Sequence, residues 1–335
     1  MDTQSFLNPP AQYRPIPFWS WNDRLQPARL QQQVRAFANA GMGGFFMHAR
    51  PGMRTPFLSE EWFAAVSASV EEATAHGLQA WIYDESSYPS GFAGGFVPAK
   101  RPDLAQKWLT CRPVQTGPAT PSGATQLGLF GVTDSTYVRC GSDTKATTEG
   151  RLVQFAVEAH QGTGWLNGYP YMDLLHPDSA ATFLEIAYAP YAARYAEQFG
   201  AEIPGVFTDE PNISPGGGAR LPWTPDLPQS YQQCYGDDLL ERLPELFLDV
   251  GQYNDTRYRY WRLVTQLFIS NWMKPVYDWC EQHHLQFTGH LWEHVFSPMY
   301  SGSLMAPFEY MHIPGIDLLG RDVANARLPQ DTDVP

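Results

Sequence analysis

The sequence predicts an α/β protein built as a (β/α)8 TIM-type barrel, of which about six strands are present, with a small antiparallel β insertion after strand three. Three observations lead there. Gly205-Val206-Phe207-Thr208-Asp209-Glu210 and Gln79-Ala80-Trp81-Ile82-Tyr83-Asp84-Glu85 are both short apolar runs ending in adjacent carboxylates. Such a run reads as a buried strand that delivers charge at its C-terminal edge. Strand-like runs also alternate with helical patterns through short links, the rhythm of a parallel sheet. Every strand exit carries polar or ionisable residues, which suits a ring of loops better than the single crevice of a doubly wound sheet.

Taken in order, Pro15 to Trp21 is an aromatic run read as the first strand, with Asn22 and Asp23 at its exit. Gln26 to Ala40 has helical spacing in Leu30, Val34 and Phe37, and Gly41 suits its C-cap. Gly43 to Ala49 is the second strand and delivers His48 and Arg50. Ser59 followed by Glu60 and Glu61 is an N-cap with acids in the first turn, opening a helix to about His76. Gln79 to Tyr83 is the third strand. The rhythm then breaks, and residues 106–166, rich in Thr, Gly, Ser and Val, read as the β insertion.

The repeat resumes with a helix opened at His176-Pro177-Asp178-Ser179 and ending at Gly200. Gly205 to Asp209 is the fourth strand. Asn212 to Pro228 reads as a Pro/Gly-rich loop, followed by a polar helical stretch and a long helix from about Asn254 to His284. Leu285 to His290 is the fifth strand and Gly315 to Leu319 the sixth. Three segments result: 1–105 with strands one to three, 106–166 as insertion, and 167–335 with strands four to six, the last two barrel strands being absent.

Bulk properties narrow the function. A net charge of −13 argues against nucleic acid, whose phosphates demand a basic surface. No run approaches the ~18 apolar residues of a membrane span, and the N-terminus carries no secretion signal, so a cytoplasmic protein is expected. Cys111, Cys140, Cys234 and Cys280 form no CxxC pair, so free thiols are the default, with Cys111–Cys140 pairing as the alternative for an exported chain. Aromatic residues make up 14% of the chain, compatible with sugar stacking and equally with core filling.

The strand-exit motifs, PFWSWND at 17–23, GGFFMHARPG at 43–52, TPFLSEEW at 55–62, YDESSYPSGFAGG at 83–95, FTDEP at 207–211, GHLWEH at 289–294 and HIPGIDLLGR at 312–321, resemble those of the α-L-rhamnosidase-type glycoside hydrolases of family 106. The resemblance implies a (β/α)8 catalytic domain that hydrolyses terminal α-L-rhamnosides with inversion, is calcium-dependent, and carries a further catalytic Glu on a later strand. This sequence ends before such a motif, so the second carboxylate is unassigned and an N-terminal fragment or decayed copy is expected, able to associate through exposed barrel edges.

Glycoside hydrolysis uses two carboxyls. Glu210 is the candidate general acid, its pKa expected to be raised by Asp209 and other pocket acids. Asp84 and Glu85 are candidate sugar or metal ligands, with an ion pair to Arg50 as the plain alternative. His48 and Arg50, two apart on a strand, share a face. His290, Glu293 and His294 are assigned to the sugar pocket, because Gly289 places them at a strand exit rather than in the helix of a zinc peptidase. Trp21 and Trp292, with Trp19, are candidate stacking platforms; Asp317 and Asp322 sit at the last strand exit unranked. Two other readings stay open: a non-catalytic, at most sugar-binding fragment, and a metal-dependent hydrolase using His48, His290 and His294.

Overall fold

The computed structural model describes residues 3–115, 121–141, 150–214, 219–292 and 299–318. Strands β1 (Phe18–Trp21), β2 (Gly44–Ala49) and β3 (Gln79–Ser86) alternate with the helices Pro27–Asn39 and Glu60–Ala75. Strands β4 (Lys107–Val114), β5 (Thr125–Val132), β6 (Tyr137–Cys140) and β7 (Arg151–Ala159) follow. The chain then runs through β8 (Gly205–Asp209), β9 (Arg220–Trp223), β10 (Gln286–His290) and β11 (Ile313–Pro314). Six strands form a parallel sheet in the order β1-β2-β3-β8-β10-β11, so neighbours follow chain order without reversal. The described strands make an open sheet with β1 and β11 at its ends, where the sequence predicted part of a closed barrel.

Local signals explain the helices. Ser59 caps its helix by accepting the Trp62 N–H at 3.2 Å, with Glu60 and Glu61 in the first turn. Trp62 lies fully buried against Trp21, with ring centroids 4.9 Å apart. The two long helical stretches of the second half each contain a π turn, Leu184–Tyr188 and Ile269–Met273. Pro190 and Pro275 are each the second residue after these turns. A proline inside a helix has no N–H for the i→i−4 bond and crowds the preceding turn, and a widened turn relieves both.

Two segments differ from expectation. The Pro/Gly-rich stretch after β8 contains β9, which pairs with β4 (Thr110 opposite Arg220, Lys107 opposite Trp223) and completes a five-stranded antiparallel sheet in the order β6-β5-β7-β4-β9. The sixth parallel strand is Ile313–Pro314 rather than Gly315–Leu319: Thr288 Oγ1 donates to Ile313 O at 2.7 Å, and the Gly315 N–H donates to Gly289 O at 2.8 Å. Ile316 and Leu318 are exposed, so the apolar run that suggested a strand has no layer to pack against; Leu319 lies outside the described residues. Gly289 has φ +136, and a Cβ there would collide with Thr208 O, so this position in β10 requires glycine. Among the described residues no helix is long and apolar enough to cross a membrane. All four cysteines are free.

Candidate active site

Alternation along the strands sorts side chains onto two faces. On β1, Trp19 and Trp21 are buried and Phe18 and Ser20 exposed. The tryptophans face the helices. Trp21 is 2% exposed, wedged between Trp19 and Trp62, and its Nε1 has no partner among the described residues. Trp19 packs on Phe37 and Phe45. Both fill core and offer no platform to a sugar, which corrects the reading of Trp21 as a binding residue.

The other face carries a ring cluster. Phe18 meets Phe46, His48, Tyr83 and Phe207 edge-on, and Phe207 meets His290 at 5.9 Å. At the C-terminal end of this layer the polar groups gather. His48 stacks on Tyr83 with centroids 3.6 Å apart. The Tyr83 hydroxyl lies 2.5 Å from Asp209 Oδ2 and 2.9 Å from Ser87 O. Asp209 Oδ1 is 3.4 Å from His290 Nε2, because the register places His290 directly opposite Asp209.

Glu210 follows Asp209 at the end of β8. Its φ is 48, in the left-handed region that a residue with a Cβ rarely enters, at a cost on the order of 1 kcal/mol. Two main-chain bonds hold it there: its N–H donates to His290 O at 3.1 Å, and its carbonyl accepts from Asn212 Nδ2 at 2.9 Å. Glu210 is 5% exposed. Asp209, Glu210 and His290 each present a ligand atom within 4.8 Å of the others. Two carboxylate oxygens and an imidazole suit a divalent ion of mixed N/O preference. Calcium, which takes about six to eight oxygens, finds two here.

Among the described residues neither ring nitrogen of His48 has a hydrogen-bond partner, and the residue is 2% exposed. Burial, then the Arg50 charge, lower its pKa to about 3, so it is neutral near pH 7. Arg50 itself lies 5.6 Å over the Tyr88 ring; the ion pair with Asp84 or Glu85, the plain alternative to a ligand role, is not among the ion pairs of the described residues.

The structure gives those two acids other partners. Asp84 accepts from Ser90 Oγ at 2.5 Å and from the Tyr188 hydroxyl at 3.0 Å, Tyr188 belonging to the helix layer. Burial raises its pKa to about 7 against the pull of these two donors. Glu85 is wholly buried and accepts the N–H groups of Ser86, Gly91, Phe92, Ala93 and Gly94. Burial pushes its carboxyl up, while the N–H donors oppose the rise. A carboxyl whose oxygens already accept five N–H groups has no acceptor left for a sugar hydroxyl. Both acids therefore leave the substrate-binding set and organise the loop after β3.

Trp292 stacks on Tyr300 at 5.1 Å, beside the rim. Glu293, His294 and Asp322 lie outside the described residues; Asp317 follows β11 and is partly exposed. Sequence reasoning missed Tyr83, counted only as strand. The available signal was parity: alternation places Tyr83 opposite in direction to Asp84, so the two cannot line one surface.

No model of a known protein family matches the chain, and no curated protein matches it either. Among solved structures, a rhamnosidase from Novosphingobium sp. PP1Y superposes with a TM-score of 0.65 over 92% of this chain, at 14% identity. The fold is rhamnosidase-like. The chain spans 48% of that structure's length.

Proposed function

We propose that this chain is part of a glycoside hydrolase acting on terminal α-L-rhamnosides or similar sugars, with Glu210 as general acid. The observation that carries the reading is Glu210 itself: a buried carboxyl held in a left-handed backbone at a strand exit, beside Asp209 and His290. The shared fold supports it at the level of glycosidase-like architecture. In this reading Glu210 protonates the departing glycosidic oxygen. Asp209, set by Tyr83 and His290, and the neutral His48 bind ring hydroxyls, one His48 nitrogen donating and the other accepting. Inversion then needs a second carboxyl roughly 6.5–9.5 Å away to activate water; the motif resemblance puts it on a later strand.

The test is hydrolysis of aryl α-L-rhamnosides, neutral leaving groups of graded acidity, by this chain and by a form extended past Pro335. Glu210→Gln is expected to lose about 10²–10⁴-fold on poor leaving groups and little on good ones. Equal loss across the series, or none, rejects Glu210 as the acid. Silence from both forms favours a sugar-binding role without catalysis.

The Asp209–Glu210–His290 cluster sustains one other reading, a metal-dependent hydrolase. His48 is not in that cluster, and the 3.4 Å His290–Asp209 contact needs no metal. Stoichiometric zinc in the purified protein would favour this reading.

A further inference from the structure

Where the antiparallel sheet meets the exits of β8 and β10 lies a cavity of about 430 Å³, within the ~300–1,000 Å³ span of small-molecule sites. Trp108 of β4, His160 just past β7, Arg220 of β9, and Trp165, Trp292 and Tyr300 line it. It adjoins the candidate active site: Asn212, in its wall, holds the Glu210 carbonyl, and Trp292 is two residues past His290.

The cation in this cavity has no counter-ion among the described residues. The Arg220 guanidinium lies 4.7 Å over the Trp108 ring, and among the described residues no carboxylate pairs with it. The nearby acid of the same sheet, Glu158, is engaged by Arg112 at 2.5 Å and by Trp108 Nε1. In a chain of net charge −13, a guanidinium left unpaired inside an aromatic cleft is a selective feature. Held over an indole, its guanidinium can take a carboxylate in a bidentate pair. His160, lowered by burial and by Arg220, is neutral there and adds a hydrogen-bonding edge.

We propose that this cavity binds a hexuronic acid, its carboxylate on Arg220 and its ring against the tryptophan walls, as the sugar unit next to the one cleaved at Glu210. The position beside Glu210 rests on the function proposed above; the carboxylate site itself does not. The antiparallel sheet thereby becomes the specificity element of the molecule.

The experiment is titration of tryptophan fluorescence with D-glucuronate, D-glucose and D-glucose 6-sulfate at constant ionic strength. Glucuronate is expected to bind saturably and at least about tenfold tighter than glucose. Arg220→Gln is expected to erase that preference, Arg220→Lys to keep part of it, and Glu210→Gln to leave it intact. Equal binding of glucose, an unchanged preference in Arg220→Gln, or glucose 6-sulfate binding as tightly as glucuronate overturns the assignment. Should Arg220→Gln fail to fold, saturation-transfer NMR on the unaltered chain decides: contacts to the glucuronate ring at equal strength for glucose also overturn it. Glucuronate binding without rhamnoside hydrolysis sinks the proposed activity and leaves the site standing; hydrolysis without glucuronate preference does the reverse.

Discussion

The Ser90 hydroxyl donates to Asp84 Oδ1 across 2.5 Å and, on its other side, accepts the main-chain N–H of Asp209 at 2.8 Å. Its own N–H donates to Asp209 O at 2.7 Å. One serine thus ties an acid on the helix side of β3 to the end of β8, where the candidate catalytic carboxyls stand. The two acid-terminated strands are coupled through the loop after β3 as well as through the direct Tyr83–Asp209 hydrogen bond.

Ser90→Ala would leave the Asp209 N–H and one Asp84 oxygen unsatisfied in a buried site. The expected loss is about 2–3 kcal/mol, read from urea unfolding. Since the lost bond favours the charged form of Asp84, the variant should also shift the Asp84 titration upward. An unchanged midpoint would mean that the bridge is energetically idle.

Two buried groups pull the pH dependence of stability in opposite directions. The folded pKa of Asp84, about 7, exceeds its ordinary 3.8. Folded chain keeps that proton while unfolded chain has released it, so the contribution is full below pH 3.8 and lost as pH rises to about 7. For His48 the folded value, about 3, lies below the ordinary 6.5. Its contribution is full above pH 6.5 and lost as pH falls toward 3. Melting temperatures across this window should therefore climb more steeply with pH in Asp84→Asn than in the unaltered chain, and less steeply in His48→Gln. Parallel curves for all three proteins would refute both assignments.

Glu85→Gln replaces a carboxyl oxygen that accepts N–H groups by an amide whose hydrogens face those donors. Several of the five loop N–H groups lose their acceptor, and the expected cost is roughly 3 kcal/mol or more. Limited proteolysis should then cut within residues 86–95 faster than in the unaltered chain. Wild-type resistance with wild-type stability would show that Glu85 does not organise this loop.

How far the sequence led is visible at these same residues. The runs ending at Asp84-Glu85 and Asp209-Glu210 announced β3 and β8, because apolar stretches stopped by acids have few other uses, and Ser59-Glu60-Glu61 marked a helix start for the same local reason. What remained hidden depends on partners far along the chain. Adjacent strand residues face opposite ways, so the pair Asp84-Glu85 could not both line a pocket, yet which one turned inward was set by Tyr188, 104 residues on. β9 was masked by prolines and glycines; its only reason to be extended is the free edge of β4. Trp21 and His48 share one chain pattern, an apolar strand, and only the helix layer on one side distinguishes core tryptophan from rim histidine.

The closure of the antiparallel sheet by β9 bears on how this architecture can be rebuilt. The segment 106–166 looks like a cassette that could be cut out or grafted elsewhere, but its β4 edge is stitched to Arg220–Trp223, beyond β8. A graft of that segment alone would carry an open edge into its new host, and its removal would strand the loop that follows Glu210. Transplantation has to move both pieces with their register intact, so recombination among related chains would carry the antiparallel sheet and the chain that follows Glu210 together.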